Sequence, residues 1–238
     1  ERFRRDGFVK LARVLDGDTI ARYADEITRV TLAHNRHAGV PLEERTTYGR
    51  AFIQVTNIWC KSPIARELSF SRRLARIAAE LMGAAGVRMW HDQALYKEPG
   101  GGPTPWHVDQ HYWPMASDLS CTVWIPLQPV PVEMGPMQFA PGSHRLAVAR
   151  HLAISDDSEA AIRTVIERLG LEIRCEPYAL GGVSFHYGWT LHAARPNTSR
   201  QPRKVHTIIY MDAAMRLSEP ANDDQKVDWA AFTPGTRV

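Results

Sequence analysis

The chain has 238 residues, room for one large domain but not for two independent cores. Its 44% hydrophobic and 23% charged content is that of an ordinary globular protein rather than a disordered or fibrous one. A net charge of +3 with no long basic run argues against nucleic acid, and no stretch approaches the roughly 18 apolar residues of a membrane span.

In chain order, Asp16 or Asp18 caps a predicted helix in which Ile20, Tyr23, Ala24, Ile27 and Val30 recur at helical spacing. Residues 34–50, with His34, His37, Gly39, Pro41 and Gly49, read as a loop. Ser62-Pro63 opens a short helix that includes Glu67. A longer one after Ser71 carries Leu74, Ile77, Ala78 and Leu81 and closes at Gly83. From Val87 the texture changes to short Val/Ile/Trp/Tyr-rich runs at 87–97, 121–126, 136–140, 172–176, 182–187 and 204–212, punctuated by Gly/Pro turns. One helix, 156–169, interrupts them. The expected architecture is a single domain over 1–238, mainly β with flanking helices: a mostly helical layer at 1–86 on a sandwich or barrel core at 87–215. Cys60, Cys121 and Cys175 form no CxxC pair and read as reduced thiols. With no signal-like opening, they point to a cytoplasmic protein, a monomer or homodimer.

The segment Thr104-Pro105-Trp106-His107-Val108-Asp109 carries the first chemical signal. Alternate side chains of a strand share a face, so His107 and Asp109 point together and Val108 points away. An imidazole and a carboxylate then reach one metal ion. Alone, such a pair is a common surface feature. His192 lies between a strand and the Pro196-Asn197 turn, and supplies a second imidazole. Two histidines and one carboxylate leave open positions suited to iron(II), a chelating co-substrate and dioxygen. Arg203 precedes a strand that runs back beside His192, and an arginine there can grip a carboxylate through two parallel hydrogen bonds.

In order and spacing these segments resemble the phytanoyl-CoA dioxygenase family of iron(II)/2-oxoglutarate oxygenases. The matching fragments are Asp6-Gly7-Phe8, Tyr96-Lys97-Glu98-Pro99-Gly100, Trp106-His107-Val108-Asp109, Trp124-Ile125-Pro126-Leu127, Gly135-Pro136-Met137, Pro141-Gly142-Ser143-His144, then His192 and Pro196-Asn197. The resemblance implies a double-stranded β-helix (a jelly-roll, cupin-like core) and iron held by His107, Asp109 and His192. It also implies a small-molecule substrate, with 2-oxoglutarate and dioxygen as co-substrates. Arg203 would bind the distal carboxylate of 2-oxoglutarate, Trp124 would line its pocket, and Gln93 or, on the same strand face, Lys97 would touch it. The sequence departs from the family pattern at Val108, where glutamine is common, and at Ala194, where a serine or glycine is common. Halogenating relatives replace the metal carboxylate with a small residue, so Asp109 favours hydrogen abstraction without halogenation.

Other residues have plainer readings beside their functional ones. His111, Tyr112 and Trp113 fit a substrate wall or a core cluster, His144 a turn, and His186 the core or a partner of a metal ligand. Arg195 rivals Arg203, and Phe52 and Gln54 could close over the pocket. Two rival functions stand beside the oxygenase: a cupin-type metal enzyme that does not use 2-oxoglutarate, and a non-catalytic jelly-roll binding protein. An Arg- and Ala-rich composition suits a tailoring enzyme of secondary metabolism, such as antibiotic biosynthesis, whose outcome is hydroxylation, radical cyclisation or epimerisation.

Overall fold

Each long helix begins where a side chain can accept one of its free N–H groups. In the computed structural model, which describes residues 1–229, the short helix α1 (Arg2–Asp6) leads into strand β1 (Phe8–Leu11). Asp16 accepts from the Thr19 backbone and opens α2 (Gly17–Ala33), which buries Ile20, Ile27 and Val30. Thr46 caps α3 (Thr47–Ala51), which leads into β2 (Ile53–Thr56). Ser62, followed by Pro63, caps α4 (Pro63–Ser69), and Ser71 caps α5 (Arg72–Met82). Gly83 ends α5 at φ 76, a left-handed conformation that costs glycine little.

The strands follow: β3 (Val87–Tyr96), β4 (Thr104–His107), β5 (Ser120–Pro126) and β6 (Met137–Phe139). Helix α6 (Asp156–Arg168), opened by a capping box between Ser155 and Ser158, separates them from β7 (Arg174–Cys175), β8 (Val183–Tyr187), β9 (His192–Ala194) and β10 (Val205–Asp212). Helix α7 (Asp223–Trp229) follows. The strands make a six-stranded sheet in the order β1-β8-β5-β10-β3-β2 and a four-stranded sheet in the order β4-β9-β6-β7, antiparallel throughout. This is the expected jelly-roll. No helix among the described residues is long and apolar enough to cross a membrane.

Strand alternation divides the large sheet into two faces. Cys121, Val123, Ile125, Phe185, Ile208 and Tyr210 join Ile27, Val30, Leu68, Leu74 and Ala78 in one apolar core between sheet and helices. Their neighbours Thr122, Trp124, His186 and Thr207 face the other way and line a cavity.

Three expectations need correction. The segment 1–86 is not only a helical layer, because β1 and β2 form the two edges of the large sheet. Each has four residues, too few for alternation to stand out from its surroundings. The expected loop 34–50 contains a 3-10 turn at Leu42–Glu44 and most of α3. The metal strand stops at His107, and Asp109 opens a 3-10 turn, Asp109–Tyr112. Val108 between them stays extended (φ −127, ψ 135), so the two side chains still share a face.

Candidate metal centre

His107, the last residue of β4, and His192, the first of β9, are direct partners across an antiparallel pair. Side chains so paired project to the same face a few ångströms apart, and the two ring centroids are 4.1 Å apart. Each ring is fixed by the carbonyl two residues before it. His107 Nδ1 donates to Pro105 O at 2.7 Å and His192 Nδ1 to Thr190 O at 2.9 Å. Protonation of Nδ1 leaves both Nε2 atoms with free lone pairs, the tautomer a metal requires.

Asp109 Oδ1 lies 3.6 Å from His107 Nε2 and 3.4 Å from His192 Nε2. One ligand atom from each of the three residues falls within 4.8 Å of the others. Burial would raise the Asp109 carboxyl, but the nearby imidazoles of His192, His107 and His186 outweigh it. They hold the acid well below the usual carboxylate range. Burial, reinforced by His192, pushes His107 down against the pull of Asp109, which favours its neutral, metal-binding form. Two imidazoles with bare Nε2 atoms and an ionised carboxylate on one face fit iron(II) with positions left open.

These residues lie in a cavity of about 330 Å³ between the sheets, which Gln93, Trp124 and Arg203 also line. Arg203 is 2% exposed, and its guanidinium lies 5.4 Å from the centroid of the Trp124 ring. Its Nη1 donates to Gly135 O, and its Nε has no partner among the described residues. Gly135 is itself constrained: at φ 66 an added Cβ would lie 2.2 Å from Arg195 O. Lys97 is fully buried, donating to Gly102 O and to Thr104 Oγ1, and its backbone pairs with that of Arg203. Burial and the neighbouring Arg203 push Lys97 down to about 6, while burial lowers Arg203 only to about 10. Neither cation has an acid partner among the described residues. A buried arginine without a counter-ion is costly unless an anion joins it, whereas Lys97 escapes that cost by giving up its proton above about pH 6.

The remaining candidates separate cleanly. Phe52, Gln54, Tyr112 and Trp113 line the cavity, whereas His111 does not. His111 bonds Arg150 O and Asp224 instead. Arg195 lines a different cavity, shared with Trp106 and Cys175. Lys97 stays behind the cavity wall, its contact Thr104 being the lining residue. His144 sits in the turn Ser143–Arg145 and stacks on Tyr187. Ala194 lines the cavity without a donor. Sequence reasoning missed Tyr48, whose hydroxyl donates to Gln54 Oε1 at 2.7 Å while Gln54 Nε2 donates to Gln93 Oε1 at 2.5 Å. It also missed Thr122. Neither lies in a motif; only the packing of distant segments brings them to the cavity.

With this geometry in place, three kinds of likeness to known proteins bear on it. The profile of the phytanoyl-CoA dioxygenase family matches residues 3–205. An ectoine dioxygenase of Bordetella parapertussis is 25% identical over 92% of this chain and 76% of its own. Two solved structures from nogalamycin biosynthesis superpose on nearly all of it. The non-haem α-ketoglutarate-dependent carbocyclase SnoK has a TM-score of 0.82 and 28% identity over 100% of this chain and 90% of its own. The α-ketoglutarate-dependent epimerase SnoN has 0.78 and 27% over 99% and 90%.

Proposed function

This chain belongs to the phytanoyl-CoA dioxygenase family, and on that premise we propose that His107, Asp109 and His192 hold the iron of a 2-oxoglutarate-dependent oxygenase whose co-substrate carboxylate is gripped by Arg203. The protein is an iron(II)/2-oxoglutarate-dependent dioxygenase acting on a small molecule. The observation that carries the residue assignment is the convergence of two bare Nε2 atoms and Oδ1 of Asp109 in the cavity that also holds a buried arginine without an acid partner among the described residues.

Held by His107, Asp109 and His192, iron would supply the oxidising chemistry that turns 2-oxoglutarate and dioxygen into succinate and carbon dioxide at the expense of a substrate C–H bond. The chain supplies binding, orientation and exclusion of water. Arg203, braced by Gly135 O and stacked on Trp124, presents a fixed cation to a carboxylate entering the cavity. Lys97, pushed down to about 6 behind the wall, adds positive charge when a bound carboxylate raises it. Gln93, held through Gln54 by Tyr48, offers an amide to the co-substrate. Phe52, Tyr112 and Trp113 provide an apolar wall for the substrate.

A substrate from secondary metabolism, with hydroxylation, cyclisation or epimerisation as the outcome, is the reading supported by likeness to SnoK and SnoN. Further parts of the proposal are a single domain, since β1 and β2 complete the large sheet, a cytoplasmic monomer or homodimer, and three cysteines kept as thiols.

The test is anaerobic titration with iron(II) and then 2-oxoglutarate. A weak visible charge-transfer band should form, vanish in His107→Ala and weaken in Arg203→Ala. Absence of the band in the wild type would sink the iron reading. A band indifferent to Arg203 would overturn the assignment of the carboxylate anchor.

A further inference from the structure

Asp109 presents its two oxygens to different surroundings. Oδ1 faces the Nε2 atoms of His107 and His192. Oδ2 accepts from Thr122 Oγ1 at 2.8 Å and from His186 Nε2 at 3.0 Å. The two donors are not scattered neighbours. Thr122 on β5 and His186 on β8 are direct partners across an antiparallel pair, and both belong to the cavity face of the large sheet. The acid comes from the opposite side of the cavity, just past β4 of the small sheet. The large sheet thus reaches across with two donors aimed at one oxygen.

The chemistry of His186 fixes its tautomer. A carboxylate oxygen can only accept, so Nε2 carries the proton and Nδ1 is bare. That Nδ1 is buried, with no hydrogen-bond partner among the described residues, in a residue 1% exposed. A histidine serving only the core would be replaced at no loss by an apolar ring. Its ring already packs against Phe139, at 5.4 Å between centroids, and His192, at 4.5 Å.

We propose that His186 and Thr122 are positioning residues that hold Asp109 to the metal through Oδ1 alone, so that a coordination position stays open for the co-substrate or dioxygen. This rests on the iron site proposed above. A carboxylate with both oxygens free can bind a cation through both. With two histidines it would then fill four of six octahedral positions, leaving no place for dioxygen once 2-oxoglutarate chelates. Two donors on Oδ2 occupy its lone pairs and turn Oδ1 toward the histidines. One-point ligation leaves three positions, the number that a chelating co-substrate and dioxygen need.

The experiment compares wild type with His186→Phe, Thr122→Val and the double variant, each loaded anaerobically with iron(II). Cobalt(II) serves as a second, spectroscopic probe of coordination. The Phe and Val side chains keep the packing volume and remove only the donors. We expect the double variant to bind 2-oxoglutarate about 10- to 100-fold more weakly, the range typical of partners that orient metal ligands. Its charge-transfer band should shift, its cobalt(II) spectrum should change, and its metal binding should persist. His186→Asn, which restores an N–H donor, should recover most of the loss. A double variant with wild-type 2-oxoglutarate affinity and an unchanged cobalt(II) spectrum would overturn the proposal. So would a lower melting temperature with unchanged spectra in the folded protein, which marks a structural role. If the wild type itself gives no band, the iron reading has failed rather than this one.

Discussion

Two buried histidine–carboxylate clusters lie on opposite faces of the large sheet, and only one of them opens into a cavity. On the helix side, Asp92, Ser69 and His206 are each at most 1% exposed. Ser69 Oγ donates to Asp92 Oδ2 at 2.5 Å and meets His206 Nε2 at 3.0 Å, and the Trp59 backbone donates to the same carboxylate at 3.0 Å. Serine, histidine and aspartate in contact are the parts of a nucleophilic triad. Here they have no space for a substrate and serve to tie α4 to β3 and β10. On the cavity side, His107, Asp109 and His192 contain similar groups, but their Nδ1 atoms are satisfied by backbone and their metal-facing atoms converge on open space. Residue type is therefore a poor guide to chemistry. What distinguishes the two is which atoms remain uncommitted and whether anything can reach them.

That contrast can be broken experimentally, most sharply at the metal site. Asp109→Ala or His192→Ala should abolish iron(II) binding and all succinate release, whereas His206→Gln should leave the charge-transfer band intact in the folded protein. Loss of the band in His206→Gln would mean that the two faces are coupled. Next in size is the carboxylate anchor. Arg203→Ala should weaken 2-oxoglutarate by roughly 10²-fold, about 3 kcal/mol, as expected for loss of a buried charge partner. Arg195→Ala, whose side chain belongs to a different cavity, should change it little. Equal losses in the two would undo the assignment.

Stability should respond in the opposite pattern. Asp92→Ala leaves the Trp59 N–H without its acceptor and opens a gap beside Ser69 and His206, and should cost about 3 kcal/mol in urea unfolding, with the band preserved per folded molecule. Destabilisation under 1 kcal/mol would show that the sealed cluster contributes little to the fold.

The smallest effects are those of pH. Burial pushes His206 below its ordinary value, partly offset by Asp92. Unfolding frees it to take a proton, so its contribution is complete above about pH 6.5 and is lost as pH falls toward its folded value. In metal-loaded protein, the slope of stability against pH just below 6.5 should shrink in His206→Gln by up to about 1.4 kcal/mol per unit. Lys97 titrates near 6 in the free protein, and a bound carboxylate would raise that value. The affinity for 2-oxoglutarate should therefore be flat below about pH 6 and weaken above it, by at most about tenfold per unit, with proton uptake on binding. Lys97→Met should flatten the curve; an unchanged curve would show that this lysine does not sense the co-substrate.

Much of this is legible in the sequence. Asp16, Ser62, Ser71 and Gly83 mark helix ends because a free N–H or a left-handed residue needs that chemistry in any context. His107 and Asp109 share a face because extended backbone alternates, and that survived the early end of β4. These are local rules, acting within a few residues, and the sequence states them directly. The edge strands β1 and β2, the register that sets His192 opposite His107, the burial of Lys97 beside Arg203, and the pairing of Thr122 with His186 over Asp109 Oδ2 are different in kind. Each depends on which remote segment packs against which. That choice is made by the burial of a whole apolar face and by antiparallel register, so only the folded chain determines it. The sequence by itself named the three residues proposed as metal ligands. The tertiary structure decided which oxygen of Asp109 is free to use, and which of two similar histidine clusters a small molecule can reach.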